Sequence, residues 1–405
     1  MKTARLWRWL AVICLLSFAA LGWIGREIYL AKPPIPSQVI SASGETLYSA
    51  AQIERGQEAW RAAGGQQLGS VWGHGSYVAP DWSADWLHRE ALALREIWAQ
   101  RDYGNTFAKL NAEQQAALGA RLKQELRTNT YDATRDTITV SKDRAQAIRQ
   151  VAAHYTGLFG HDPTLDKLRE QYAMTSESLT ESSDREALSG FFFWTAWSAA
   201  TNRPGETDIS YTSNWPHEPL VDNMPTAGNG IWSMVSIIFL IAGIAGMIWF
   251  HSAHREDADP TVPKNDPLID LKPTPSMRAT QKFFYIVIGL ILLQVAMGVI
   301  TAHYAVEGTS FFGFPLADFL PYTSARTMHT QLAVFWIATA WLATGLYIAP
   351  ALSGHEPKWQ KLGVNVLFAA LIFVAVGSLV TGWLATLQRA GVEFHFWLGN
   401  QGLEY

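Results

Sequence analysis

Five long apolar runs divide the chain and predict five membrane-spanning helices. The runs lie at about residues 6–31, 229–250, 283–302, 330–349 and 362–386. Each has roughly the 20 residues that an α-helix needs to cross a hydrocarbon core about 30 Å thick. The first run has no clean small-x-small cleavage site, so we expect an uncleaved anchor and not a signal peptide.

The pattern between the first two runs is different and predicts a folded domain. Apolar residues recur there with helical spacing, and polar residues fill the other positions. Asn111 and Gln114 stand as the two members of a capping box. The predicted helices cover about residues 51–63, 84–101, 111–127 and 142–158. We therefore expect an all-α polytopic membrane protein with five transmembrane helices and one compact, mostly helical domain.

From Phe191 onward the spacing becomes irregular. The stretch from Phe191 to Pro219 mixes aromatic residues, prolines and polar residues densely. This composition favours a loop packed against a membrane surface, with direct participation in chemistry as the alternative. The predicted divisions of the chain are an anchor at 1–31, a domain at 32–225 and a membrane core beginning at 226 and running to 405.

Charge between the runs predicts the topology. Lysines and arginines lie in the 251–282 and 351–361 connections, whereas the 304–325 connection has none. The positive-inside rule then places the N-terminus and both basic connections in the cytoplasm and residues 32–225 outside. The net charge is only −4 and there is no basic stripe, so no nucleic-acid partner is expected.

The single cysteine, Cys14, excludes several kinds of site from these 405 residues. One cysteine allows neither an internal disulfide nor a thiolate zinc or iron–sulfur site. It also excludes the Cys-x-x-Cys-His motif that attaches a c-type haem.

His329 lies in the first turns of the fourth apolar run, where a titratable ring is costly. Two interpretations are open. The imidazole could hydrogen-bond a neighbouring helix or lie in the headgroup region, or it could be an axial ligand of a haem iron.

His303 and Glu307 share one helix face at the outer end of the third run, because four residues separate them. Such a pair could bind a quinol hydroxyl and accept its protons, or it could only cap the helix end and face water. His329 follows the next connection, so the two sites are expected to be neighbours.

The remaining histidines and acidic residues carry weaker predictions. His74 and His217 are interpreted as structural, and His251 and His254 as partners of a helix end. Glu404 follows the last run in an acidic, aromatic segment. The sequence contains no phosphate-binding loop and no nucleophile elbow.

Six motifs in this chain resemble those of the quinol-dependent nitric oxide reductases, which are relatives of the haem–copper oxidases. The motifs are Trp72-Gly-His-Gly, Phe191-Phe-Phe-Trp-Thr-Ala-Trp, Ala200-Thr-Asn-Arg-Pro-Gly, Asn214-Trp-Pro-His-Glu-Pro-Leu, Arg326-Thr-Met-His-Thr-Gln-Leu and Trp397-Leu-Gly-Asn-Gln-Gly-Leu-Glu-Tyr. They occur in the order of that family and extend over nearly the whole chain.

The resemblance implies roles for particular residues. His329 matches an axial ligand of the low-spin haem b, His303 and Glu307 match a quinol-site pair, and Glu404 lies near a position linked to a cation such as calcium or to proton transfer. Residues 40–225 would form a domain with a cytochrome c fold but no haem c. The implied protein lies in a bacterial inner membrane and reduces two nitric oxide molecules to nitrous oxide and water with electrons from quinol, as in denitrification.

The chain also departs from the family. The second haem b ligand, the haem b3 ligand and the non-haem iron ligands have no counterpart here, so we expect no catalytic residues in this chain. The expectation is an N-terminal portion, from a truncated gene model, a split gene or a fragment, that is inactive without its C-terminal helices. The alternatives are a non-catalytic membrane protein with a partner-binding outer domain and a fragment of a quinol oxidase that reduces oxygen.

Overall fold

A computed structural model describes residues 2–254, 269, 271–389 and 391–392. Its helices are α1 (Lys2–Ala31), α2 (Ala50–Ala62), α3 (Trp82–Tyr103), α4 (Ala112–Arg127), α5 (Lys142–Leu158), α6 (Asp166–Gln171), α7 (Ser182–Ala200), α8 (Ala227–Ala253), α9 (Pro275–Val306), α10 (Leu316–Phe319), α11 (Tyr322–Ser353) and α12 (Gln360–Thr386). Its strands are β1 (Gln38–Ser41), β2 (Thr46–Ser49), β3 (Tyr131–Asp132) and β4 (Thr137–Val140).

Five of these helices are long and apolar enough to cross a membrane, which confirms the five predicted spans. They are α1, α8, α9, α11 and α12. Helices α9 and α11 pack along each other most extensively, and α12 packs against α9. Proline at the first turn and a Thr274 cap begin α9, and Gly354, with φ of 63°, ends α11.

The globular domain between α1 and α8 is mostly helical, as predicted. The Asn111–Gln114 capping box is present at the start of α4. A four-stranded sheet, in the order β2-β1-β4-β3, was not predicted. Its strands have two to four residues, which is too short to show a reliable alternation of polar and apolar positions.

The prediction for the Phe191 stretch was wrong in its first part. Residues 191–200 belong to α7, the central helix of the domain, and all of them are buried. A helix that is apolar all round has no polar face, so helical periodicity is missing from its sequence. The irregular loop begins after Ala200 and continues to the start of α8.

Stacked aromatic rings form the centre of the domain. The Trp82 ring stacks on Phe192 of α7, with centroids 5.4 Å apart, and the Trp86 ring stacks on Tyr155 of α5 at 5.3 Å. The Tyr155 hydroxyl donates to Asp85 at 2.6 Å, and burial raises the pKa of this tyrosine. These rings join α3, α5 and α7 into one core.

One ion pair lies fully inside this core. Arg144 Nε donates to Glu90 Oε1 at 2.6 Å, and the side chains are 2% and 1% exposed. The second carboxylate oxygen of Glu90 accepts from Trp86 Nε1 at 2.9 Å. Removing one partner would leave a buried charge without compensation, which is far more costly than losing an exposed pair.

The globular domain contacts one end of the bundle of apolar helices. Arg326, in the first turns of α11, donates to the side chain of Gln67. Gln388, just beyond α12, donates to the Ala62 carbonyl at the end of α2 at 3.1 Å. We call these ends of α9, α11 and α12 the domain side.

Replacing the buried acid should destabilise the domain far more than replacing an exposed one. We expect Glu90→Ala to lower the free energy of unfolding by about 3–5 kcal/mol, because Arg144 loses its partner. Glu45→Ala, which breaks the exposed pair with Arg149, should cost at most about 1 kcal/mol. Urea unfolding of the full chain, followed by tryptophan fluorescence, measures both. Equal losses in the two variants would contradict the stabilising role of the buried pair.

Candidate functional site

His329 is half-buried on α11 and hydrogen-bonds the neighbouring helix α9. Its Nδ1 lies 2.8 Å from the backbone carbonyl oxygen of Gln294. A carbonyl only accepts hydrogen bonds, so Nδ1 must carry the proton. Nε2 of the neutral ring is then the nitrogen with a lone pair, as in histidines that ligate metals.

Gln294 binds α11 twice. Its backbone carbonyl accepts from His329, and its side-chain Oε1 accepts from Trp336 Nε1 at 2.7 Å. Polar contacts between helices are strong determinants of register where water is absent. Gln294 therefore fixes both the height and the rotation of α11 at His329.

Gly298 makes room for the imidazole. A Cβ at this position would lie 2.8 Å from His329 Cε1 and 2.9 Å from Nδ1. Gly298 stands four residues after Gln294, so it lies over the carbonyl that His329 uses. Any side chain here would push the ring away from its acceptor.

His303 and Glu307 form a hydrogen-bonded pair at the domain-side end of α9. His303 Nδ1 lies 3.2 Å from Glu307 Oε2, and the side chains are 35% and 43% exposed. Glu307 is also the C-terminal capping residue of the helix, and its N–H donates to the His303 carbonyl. An ionised carboxylate only accepts, so Nε2 of His303 is left as an acceptor.

The segment that follows Glu307 covers the His303 ring. Phe311 stacks on the imidazole with centroids 3.9 Å apart and planes inclined by 7°. Phe312 meets the same ring edge-on at 5.9 Å. Phe311 thus covers one face of the imidazole, and the partly exposed Glu307 carboxylate beside it can accept a hydrogen bond from a hydroxyl group.

The two histidine sites are close along one helix. Gly298, which contacts the His329 ring, lies five residues before His303 on α9. Five residues correspond to about 7.5 Å of helix rise. Three of the four residues predicted from the sequence thus lie towards the domain-side ends of α9 and α11, with His303 turned by about 140° around α9 from Gly298.

The fourth, Glu404, lies outside the described residues. Three of the other predicted histidines, His74, His217 and His254, bond backbone carbonyls. Nδ1 of His217 bonds the Asn223 carbonyl at 3.1 Å, and Nδ1 of His254 bonds the Phe250 carbonyl at the end of α8 at 2.9 Å. His74 is exposed at the edge of an aromatic cleft. Within the described ranges, no three His, Cys, Asp or Glu residues are grouped to hold a metal ion.

Gln294 and Gly298 were not predicted as site residues. A signal was present, since a polar amide and a glycine stand inside an apolar span and often mark helix contacts. The sequence could not show which helix they face. Nothing in the sequence marked Phe311 as a site residue, because aromatic residues are common near membrane surfaces.

Two family models match the chain. Residues 36–217 match the cytochrome c-like domain of the nitric oxide reductase protein NorB. Residues 278–405 match "Cytochrome C and Quinol oxidase polypeptide I", and this range includes α9 from residue 278 onward, α11 and α12. The first match covers most of the globular domain, and the second contains both histidine sites.

A known nitric oxide reductase protein is also similar to part of this chain. The chain is 30% identical over 125 residues, or 30% of its length, to the nitric oxide reductase protein NorB of Stutzerimonas stutzeri. The matched segment spans 25% of that relative's length. The five apolar helices show that this protein is a multi-pass membrane protein. The two family matches show that it belongs to the haem–copper oxidase family, among the proteins similar to NorB.

Proposed function

We propose that this chain is the quinol-oxidising, haem b-binding part of a quinol-dependent nitric oxide reductase. The observation that carries the proposal is the arrangement on α9 and α11. On α9, the His303–Glu307 pair lies about 7.5 Å of helix rise beyond Gly298. Gly298 contacts the ring of His329 on α11, whose Nε2 can bind a metal. The similarity to the nitric oxide reductase protein NorB supports nitric oxide as the final electron acceptor.

His303 and Glu307 would act on the quinol. Since Nδ1 of His303 donates to Glu307, Nε2 can accept a hydrogen bond from a quinol hydroxyl. When quinol gives up two electrons, its two hydroxyl protons must leave as well. His303 can take one proton at Nε2, and the Glu307 carboxylate stabilises the imidazolium that forms. After His303 passes this proton to water at the exposed Glu307 side, it can accept the second proton in the same way.

The residues around His329 fit a b-type haem. The Gln294 carbonyl fixes the tautomer with Nε2 free, which is the requirement for an axial ligand. Gly298 and Gln294 hold the ring in place so that it loses little freedom on binding. A haem held there would supply one-electron transfer between the quinol and the site of nitric oxide reduction.

The complete reaction would convert two nitric oxide molecules, two electrons and two protons into nitrous oxide and water. In family members this chemistry needs haem b3 and a non-haem iron, together with further helices as partners. We place the globular domain outside a bacterial inner membrane, with the N-terminus in the cytoplasm, on the basis of the basic connections. Quinol would then be oxidised at the outer surface.

A b-type haem should depend on His329 and on the space beside it. Reduced-minus-oxidised absorption spectra of the purified full chain, expressed with haem supply, should show a b-type signal that His329→Ala abolishes. Gly298→Ala should weaken haem binding roughly ten-fold or more, because a clash in a packed site costs about 1–3 kcal/mol.

Two variants serve as controls for this measurement. Gly289→Ala lies on the same helix with nothing within 4 Å of the added Cβ, and His355→Ala removes an exposed histidine. Both should keep the signal. A signal that survives His329→Ala would refute the assignment of the ligand.

Quinol oxidation should depend on the His303–Glu307 pair. We expect His303→Ala and Glu307→Gln to slow reduction of the haem by quinol by roughly 100-fold or more, which is the usual contribution of a general base. Reduction by dithionite should not change, because it bypasses the quinol site. Stopped-flow absorption of the full chain measures both rates. Unchanged quinol rates would place quinol oxidation elsewhere.

A further inference from the structure

One carboxylate of the globular domain binds the segment that covers His303. Glu170, on α6, lies next to residues 308–310, which follow α9 directly. Thr309 Oγ1 donates to Glu170 Oε2 at 2.8 Å, and Ser310 Oγ donates to Oε1 at 3.2 Å. These contacts join positions about 140 residues apart in the sequence.

Gly308 lets the carboxylate come this close. A Cβ at Gly308 would lie 2.1 Å from Glu170 Oε1, which no other residue could accommodate without a shift. Its φ of +95° is also a conformation that L side chains rarely adopt. Both features indicate that the backbone of this turn is shaped around Glu170.

Helix α6, which carries Glu170, is anchored to the rest of the domain. Its neighbour Arg169 is 2% exposed and donates to the backbone carbonyls of Gly157 and Leu158 at 3.1 and 3.2 Å. These bonds fasten α6 to the end of α5. Because Arg169 cannot move without breaking them, they fix the α6 backbone from which the Glu170 side chain extends to residues 308–310.

The turn held by Glu170 leads directly to the His303 ring. Phe311 follows Ser310, and its N–H points to the Gly308 carbonyl at 3.4 Å. The Gly313 N–H donates to the Ser310 carbonyl at 3.0 Å and closes the turn. The stack of Phe311 on His303 therefore depends on where residues 308–310 are held.

We propose that Glu170 is a positioning residue of the quinol site. Its carboxylate holds the 308–310 turn so that Phe311 stays stacked on His303, which prepares the imidazole and the adjoining surface for the aromatic ring of quinol. The quinol role rests on the function proposed above. The clamp itself, from Glu170 to the Phe311 stack, is independent of that function.

Two substitutions separate geometry from charge. Glu170→Gln keeps the length of the side chain, and its amide can still bond two hydroxyl groups, since hydroxyls both donate and accept. Glu170→Asp keeps the charge but draws the carboxylate back by about 1.5 Å, beyond hydrogen-bond reach of Thr309. A positioning role predicts that Gln preserves the site and Asp disrupts it, with Glu170→Ala behaving like Asp.

The direct readout is chemical modification of His303 by diethylpyrocarbonate, followed by peptide mass spectrometry of the full chain. Loss of the Phe311 stack should raise the modification rate of His303 several-fold in the Asp and Ala variants. The rate at exposed His74 should stay constant and serves as the internal reference. Thr309→Val, which removes the hydroxyl from the other side of the contact, should act in the same direction and leaves the domain unaltered.

The second readout is equilibrium binding of decylubiquinone. We expect roughly ten-fold weaker binding in the Asp, Ala and Thr309→Val variants and near-native binding in the Gln variant. If the modification rate of His303 is the same in all variants, Glu170 does not hold the Phe311 stack. If Glu170→Asp behaves like the unaltered chain and Glu170→Gln loses quinone binding, the charge of Glu170 matters and its positioning role is refuted. If the unaltered chain binds no quinone, the proposed function and the quinol role fail, while the modification rates still decide on the clamp.

Discussion

The hydrogen bond from His329 to the Gln294 carbonyl is the constraint on which the membrane part of this site depends. It fixes the imidazole tautomer, and it sets the register of the α9–α11 pair together with the Trp336–Gln294 bond. The bond exists only because Gly298 leaves the carbonyl open. An imidazole that is oriented before a metal arrives loses less freedom on binding, so one helix contact serves packing and chemistry together.

The globular domain contributes to the same site from outside the membrane. Its Gln67 and Ala62 contact the first turns of α11 and the residues after α12, and its Glu170 contacts the turn after α9. Trp383 of α12 donates to the Phe319 carbonyl at 2.7 Å and holds the far end of the same connection. The domain thus contributes to the proposed quinol site by holding the segment that covers His303.

The sequence predicted the parts of this architecture that local patterns encode. Five apolar runs, the capping box at Asn111 and the i, i+4 pair of His303 and Glu307 all follow from spacing along one element. Helix α7 was missed because a segment buried on every side has no polar face to reveal its period. The contacts of Glu170 and Gln294 could not be predicted, since they join distant positions and depend on how whole elements pack.

In the function proposed for this chain, electrons pass from quinol at His303 and Glu307 to a haem on His329. The most direct test is to mix the anaerobic, oxidised full chain with a short-chain quinol and to follow the b-type absorption bands in time. We predict that quinol reduces the bound haem and that the rate saturates with quinol concentration. A b-type haem that dithionite reduces but quinol does not would contradict this claim.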